Sequence, residues 1–600
     1  MQNLEKQTEI YISGMGSTPH QHGVFFRVWA PHADYVSVVG DFNDWNEGAN
    51  PLIAGEGGCW GVNIDSAKEG DQYKYFIKNG DLNLYRNDPY ARQVTNSVGN
   101  SVIYNPKNYD WEGVTFQMPN WNELVIYELH IGTFNRPDPN TVGTFHDAIK
   151  KIPYLKSLGI NAVEIMPPFE FAGGLSWGYN PAHPFAIETE YGGPVSFKDF
   201  IKEAHKNGIA VILDVVYNHF GPSDLDLWQF DGWHENGKGG IYFYNDWRST
   251  TPWGDTRPDY ERPEVGRYIK DNALMWLEDY RVDGLRMDMV PYIRNVHADG
   301  NPEHDLQEGL NMIKWINSEV RERFPTALVV AEDMHGQDFI TDNVQAGGLG
   351  YGSQWDADFV HPVRNTLIQP EDSYVDMNLI ASALLKRYSD NAMRRIVFTE
   401  SHDEVANGKA RVAEEVEPGN AKGWFARKKA TLGAVLVLTS PGIPMIFQGQ
   451  TIQQDSWFKD TESLDWEHLK DVTGISNMYR DMIHLRRNLR GVSAGLMGQH
   501  TEILNLDNDK KLIAFQRWHE GGNKDTTVVV MNFSHQPILN YNIKFPSEGK
   551  WVVRFNGDSQ SYESDFTHIE CAEVDTKIEN DTIVGEVFVG PYSALVLSQD

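Results

Sequence analysis

The chain has 600 residues, with 52 Lys plus Arg against 84 Asp plus Glu, a net charge of −32. That length holds about four domain-sized units of roughly 150 residues, or three if one is a (β/α)8 barrel of about 250. The negative balance argues against a nucleic-acid or anionic-membrane partner, and 40% hydrophobic with 23% charged residues excludes disorder for most of the chain. Aromatic residues make up 12%, including 18 Trp and 26 Tyr. Such rings stack on flat sugar faces while carboxylates bond hydroxyls, so the composition suits a neutral polyol. A large apolar core would use the same rings. The two cysteines, Cys59 and Cys571, stand too far apart in the chain to make a disulfide framework or a thiolate zinc site. The opening MQNLEKQTEIYISGMG lacks a basic segment followed by an apolar run, and no stretch of 18 apolar residues occurs. A cytoplasmic address is therefore expected.

Residues 20 to about 112 read as all-β. VFFRVWAP (24–31) and YVSVVGDF (35–42) alternate in period two between turn residues, which predicts a sandwich of about 100 residues. From Leu124 short apolar strands alternate with amphipathic helices. VIYELHIG (125–132) and INAVEIMPP (160–168) are strands around a helix that follows Thr144 and ends near Gly159. Ser196 is positioned to cap the next helix, whose Phe197, Phe200, Ile201 and Ala204 share one face, and Asn207-Gly208 ends it. IAVILDVVYNH (209–219) is a buried strand. Helices over 263–280 and about 305–323 lead into VDGLRMD (282–288) and ALVVAED (327–333). RIVFTESHD (395–403) and GIPMIFQGQ (442–450) repeat the form. About eight such units predict a closed parallel barrel. The stretch 220–262, with Trp228, Trp233, Trp247 and Trp253, reads as a long loop over the barrel mouth. From about 495 the pattern is β again. The expected organisation is an α/β chain: an N-terminal β-sandwich over 1–115, to which the resemblance given below assigns carbohydrate binding, a (β/α)8 barrel over 116–492, and a C-terminal β-sandwich over 493–600.

A barrel carries its chemistry at the C-terminal ends of its strands. The topology therefore brings together Asp214 and His219, Arg286 and Asp288, Glu332 and Asp333, and His402 and Asp403. Arg286 and Asp288 are two apart and share a face, so the guanidinium is expected to keep Asp288 anionic, as a nucleophile requires. The apolar run Ala327–Ala331 before Glu332 predicts a partly desolvated carboxyl, the setting of a general acid at neutral pH. Two such carboxyls fit glycoside cleavage. A divalent ion held by Asp214, His219, His402 and Asp403 is the alternative, but no local His pair supports it.

At these residues the chain resembles the α-amylase family, glycoside hydrolase family 13. DVVYNH, GLRMD, VVAED and TESHD match its four signature regions in order. The resemblance implies Asp288 as nucleophile, Glu332 as general acid/base and Asp403 as transition-state stabiliser. It implies Tyr179, Asp214, His219, Arg286 and His402 as substrate-binding residues around one sugar, with no metal and no cofactor. Within the family the likeness is to 1,4-α-glucan branching enzymes, carried by VFFRVWAPHADYVSVVGDFNDW, YELHIGTF, Ser401-His402-Asp403-Glu404 and Gly590-Pro-Tyr-Ser593-Ala. It implies an α-glucan partner (glycogen, amylose or amylopectin) and a monomer, with no nucleic acid and no membrane. Asn218 and Thr451 depart from that pattern, which usually has Gly and Glu there. Pro291 and Tyr292 replace the Lys-His pair of typical amylases, and Asn218 alone keeps a calcium site open. Hydrolysis of starch-like or trehalose-capped oligosaccharides stays an alternative to branching. A glucan-binding protein with an idle barrel is disfavoured, because every catalytic position is filled.

Overall fold

The computed structural model describes residues 14–600. The segment before Gly14, read above as lacking a secretory signal, lies outside the described residues. The N-terminal module has two antiparallel sheets. One joins Gly16–His20, Gly23–Trp29, Cys59–Ile64 and Ile53–Ala54; the other joins Tyr35–Gly40, Gln72–Asn79, Leu82–Arg86 and Ser101–Val102. The period-two pattern explains the packing: Val24, Phe26 and Val28 alternate inward from one sheet and meet Val36, Val38, Tyr73, Tyr75 and Ile77 of the other, all at most 1% exposed.

Eight parallel strands close into a barrel, labelled here β1 (Ile126–Leu129), β2 (Ala162–Ile165), β3 (Ala210–Val215), β4 (Gly284–Met287), β5 (Leu328–Ala331), β6 (Ser353–Trp355), β7 (Arg395–Val397) and β8 (Ile443–Phe447). Each pairs in parallel with its neighbours, and β8 closes onto β1. Every residue of these strands is buried, as expected for strands enclosed on both faces. The helix over Gly193–Lys206 buries Phe197, Phe200, Ile201 and Ala204 as the spacing predicts. Its start differs: Gly192 is the N-cap with Pro194 in the first turn, so Ser196 lies inside the helix and caps nothing. Proline's fixed φ suits a first helical turn, and the helix begins four residues earlier than a Ser196 cap would set it.

The long segment 220–262 does two jobs. Its middle is the dock for the N-terminal module: Asp231 accepts hydrogen bonds from the His32 backbone N–H and from its Nδ1, both at 3.0 Å, and His32 stacks on Trp233 at 4.5 Å. Arg86 donates to the carbonyls of Gln229 and Phe230. Of its four tryptophans only Trp253 lines the pocket at the barrel mouth. In the module, Trp60 packs on the core and ties its indole N–H to the Ala30 carbonyl, whereas the Trp45 indole N–H donates to the neighbouring Asp41 carboxylate.

The C-terminal domain is an eight-stranded antiparallel sheet folded over its own core of Leu512, Ala514, Val528, Val530, Trp551, Val587, Leu595 and Leu597. A fully buried ion pair, Lys428 Nζ to Asp558 Oδ1 at 2.7 Å, fastens it to the helix Trp424–Thr439 ahead of β8. Among the described residues no helix is long and apolar enough to cross a membrane.

Candidate active site

The strand ends open into a pocket of about 750 Å³. Tyr179, His219, Asp288, Glu332, His402 and Asp403 line it, together with Trp177, Trp253 and Trp355. Asp214 and Arg286 lie beneath it and touch the lining residues. The eight residues that the resemblance assigns to the site are therefore brought to one place, whereas Asp333, the other strand-end candidate, is not among the lining residues.

Arg286 is the hub. On β4, fully buried, it sets Nη1 2.6 Å from Asp214 Oδ2 and 3.1 Å from Asp288 Oδ1, and Nη2 2.7 Å from Glu332 Oε2. Its guanidinium lies 4.3 Å from the Trp355 ring centre. One cation thus faces three buried carboxylates, which leaves an excess of negative charge if all are ionised. Burial, opposed by Arg286, pushes Asp214 up to about 6. Asp288 is held well above the ordinary carboxylate range, first by burial and then by the charge of Glu332, against the pull of Arg286 and Asn218. The expected Arg286–Asp288 contact is present, but its pull toward the anion is outweighed, first by burial and then by the charge of Glu332.

The first shell around these groups is fixed by local structure. Asn218, at the end of the run from β3, donates Nδ2–H to Asp288 Oδ2 at 2.7 Å and to the Asp288 carbonyl at 3.1 Å, while its Oδ1 contacts His219 Nδ1 at 2.6 Å. Both ends of the amide are used, so the residue that kept a calcium site open orients Asp288 and His219 instead. His219 is buried, stacked on Trp253 at 4.7 Å, and burial pulls it down to about 3, so it is a neutral ring. Its Nε2 has no protein partner. Glu332 accepts a hydrogen bond from the Met289 backbone N–H at 2.8 Å. Met289 adopts a left-handed backbone, φ 38°, as the chain turns from β4 into the helix Val290–Arg294. Asp333 turns away from the pocket into a double hydrogen bond with Arg294.

Tyr179 hangs from the loop between β2 and β3. Gly178 has φ 97°, and a Cβ there would sit 1.8 Å from the Pro167 carbonyl oxygen, so only glycine allows Trp177 and Tyr179 to flank this turn. Tyr179 donates its hydroxyl to Asp214 Oδ2 at 2.6 Å and stacks on His402 at 4.9 Å. Asp403 is the most open member, its side chain 44% exposed, with Oδ2 3.7 Å from His402 Nε2. Among the described residues no group of three or more His, Cys, Asp or Glu side chains is arranged to hold a metal ion.

Two functional candidates escaped the sequence reading. Glu128 on β1 and Glu164 on β2 are each 1% exposed and pair in register across the two strands. Glu128 contacts His402. A charged residue inside an otherwise apolar strand is a visible signal, and both YELHI and AVEIM carry it. Gln450, after β8, is turned into the fold, bonded to the Phe447 N–H and facing the Thr399 hydroxyl.

Comparison with known proteins agrees with this geometry. Residues 129–226 and 226–514 match the family model of the alpha amylase catalytic domain. Residues 14–91 match carbohydrate-binding module 48, the isoamylase N-terminal domain, and 503–600 match the alpha amylase C-terminal all-beta domain. The chain belongs to the α-amylase family, glycoside hydrolase family 13, and is an enzyme of it. Among its relatives, a 1,4-alpha-glucan branching enzyme GlgB of Oceanobacillus iheyensis is 31% identical, over 90% of this chain and 87% of that protein. The GlgB of Aquifex aeolicus is 30% identical with the same coverage. Solved structures with this fold include a putative alpha amylase from Salmonella typhimurium (TM-score 0.73, 22% identity, 98% of this chain and all of that one) and a pullulanase from Bacillus acidopullulyticus (TM-score 0.75, 20% identity, 98% of this chain and 75% of that one).

Proposed function

We propose that the enzyme is a 1,4-α-glucan branching enzyme: it cleaves an α-1,4 bond of glycogen, amylose or amylopectin and rejoins the freed chain as an α-1,6 branch with retention. The observation that carries this reading is the placement of Asp288 and Glu332 on one buried guanidinium at the floor of an aromatic-walled pocket. Likeness over nine-tenths of the chain to proteins named branching enzymes supports transfer over hydrolysis. Units divided near residues 115 and 492 belong to the same reading.

The chemistry follows from the charge count. Three carboxyl groups crowd one guanidinium, and in this reading they share a proton. When a glucan binds, its glycosidic oxygen takes a place beside Glu332, and the shared proton serves there as the acid. Asp288 then attacks the anomeric carbon as the carbon–oxygen bond breaks and the leaving chain accepts the proton. Asn218 and Arg286 hold Asp288 in line. Asp403 and the carboxylate excess stabilise the developing oxocarbenium charge. In the second half, ionised Glu332 takes the proton of an acceptor's C6 hydroxyl, whose oxygen displaces Asp288. Retention requires the two carboxyl groups to stand about 5–5.5 Å apart. Tyr179 and the stacked His219–Trp253 pair are placed to face the sugar.

Amylose and iodine test the reading. Transfer shortens linear runs without releasing sugar ends, so iodine colour is expected to fall while reducing ends rise little. Colour loss in step with new reducing ends would make the enzyme a hydrolase.

A further inference from the structure

We propose that Glu128 is a positioning residue for His402: it grips the imidazole from beneath and holds it as a cation whose Nε2–H is presented to a sugar hydroxyl. The inference rests on the reading of the pocket given above.

The geometry is a two-point grip. Glu128 sits on β1 inside the barrel, and its Oε1 lies 2.5 Å from His402 Nδ1. Its Oε2 accepts the His402 backbone N–H at 3.2 Å. Ring and main chain are fixed together, across the space between the first and seventh strands. With Nδ1 committed to a carboxylate, Nε2 is the only nitrogen left to face the pocket, and His402 lines that pocket. Tyr179 stacks on the ring at 4.9 Å, and Trp177 and Trp355 stand at 6.0 Å, so the ring has little freedom to turn.

The charges around the ring decide its state. Glu128 faces it from β1, Glu164 from β2, Asp214 from β3 and Arg286 from β4, with Asp403 beside it and neutral His130 nearby. Both Glu164 oxygens lack a hydrogen-bond partner. Burial, and then the charge of Glu128, push Glu164 well above the carboxylate range. Glu128 is the carboxyl group in direct contact with the ring. Burial works against a proton on His402, but Asp403 and Glu128 outweigh it and raise the imidazole to about 9. The sign follows: a function that needs the imidazolium is complete at neutral pH and is lost as pH rises through about 9. Without the Glu128 charge the burial penalty meets less opposition, chiefly from half-buried Asp403, and the loss moves down in pH.

The test compares pH profiles of kcat/KM for the full chain, its Glu128→Gln, Glu128→Asp and His402→Gln variants, using a soluble maltooligosaccharide. Glu128→Gln keeps the shape and removes the charge. Its alkaline limb is expected about one pH unit or more below that of wild type, and Glu128→Asp to restore part of the shift. In a His402→Gln background, adding Glu128→Gln is expected to cost little more. An activity loss equal at every pH, with the limb unmoved, would overturn the proposal and leave Glu128 a packing residue. Should Glu128→Gln fail to fold, nitrogen-15 histidine NMR of the wild-type chain decides, the His402 signal being assigned from the spectrum of His402→Gln. An imidazolium at neutral pH supports the grip; a neutral ring overturns it. That readout stands apart from the pocket reading, which fails instead if Asp288→Asn stays active.

Discussion

Asp288→Asn is expected to lower turnover on amylose by ~10⁴-fold or more, on the order of 5 kcal/mol of barrier. The amide cannot form the glycosyl-enzyme, and no other carboxylate can take its place. Asp214 is bound to Arg286 and the Tyr179 hydroxyl, and Glu332 is needed for the leaving group. The same substitution is not expected to weaken the fold. Asp288 carries a carboxyl raised above its ordinary range by burial and by Glu332. Such a group destabilises the folded chain as pH rises above its unfolded pKa, because folding then requires burial of the charge. The asparagine chain should therefore melt at or above the wild-type temperature at neutral pH. Kinetics and a thermal melt on one preparation check both halves. Retained turnover would remove Asp288 from the nucleophile role, and a large drop in Tm would show that its charge is structural.

Glu332→Gln is expected to be nearly as inactive on amylose, for a different reason. A sugar alkoxide is a poor leaving group and needs a proton as the bond breaks, which the amide cannot give. A glycosyl fluoride needs far less help, so the variant should keep a much larger share of wild-type activity on it. The contrast between the two substrates is the diagnostic quantity. Equal losses on both would mean that Glu332 serves through its contacts with Arg286 Nη2 and the Met289 N–H, not as an acid.

The barrel was legible because its strands are buried on both faces and read as apolar runs, with polar residues massed where each run ends. The exception is β6. Ser353–Trp355 has three residues and only one large apolar side chain, set between a glycine-rich stretch and a helix, so neither length nor alternation announces it. The site was legible at its strand ends and not inside the barrel. Asp214, Arg286, Asp288, Glu332 and His402 follow from topology alone, since strand ends must converge. Glu128 and Glu164 do not, because a single charge within an apolar strand shows neither its burial nor its partner until neighbouring strands are in register. The direction in which Asp288 is shifted was likewise out of reach. An Arg two residues away is visible in sequence, but two further carboxylates on the same guanidinium arrive from β3 and β5. Ser196 misled through its strong preference for helix caps, which Gly192 and Pro194 overrode. The loop 220–262 misled through its tryptophans, most of which face away from the pocket.

Transfer and hydrolysis share the same glycosyl–Asp288 intermediate, and water stands at roughly 55 M beside it. Transfer prevails only if a bound acceptor hydroxyl is held in attack geometry, where effective molarities of about 10⁵ M or more are attainable. The most direct measurement counts both outcomes in one tube: amylose is incubated with the enzyme, new α-1,6 linkages are measured by proton NMR, and new reducing ends are measured chemically. A branching enzyme is expected to form many more α-1,6 linkages than reducing ends. Reducing ends equal to the bonds cleaved, with no α-1,6 signal, would contradict it.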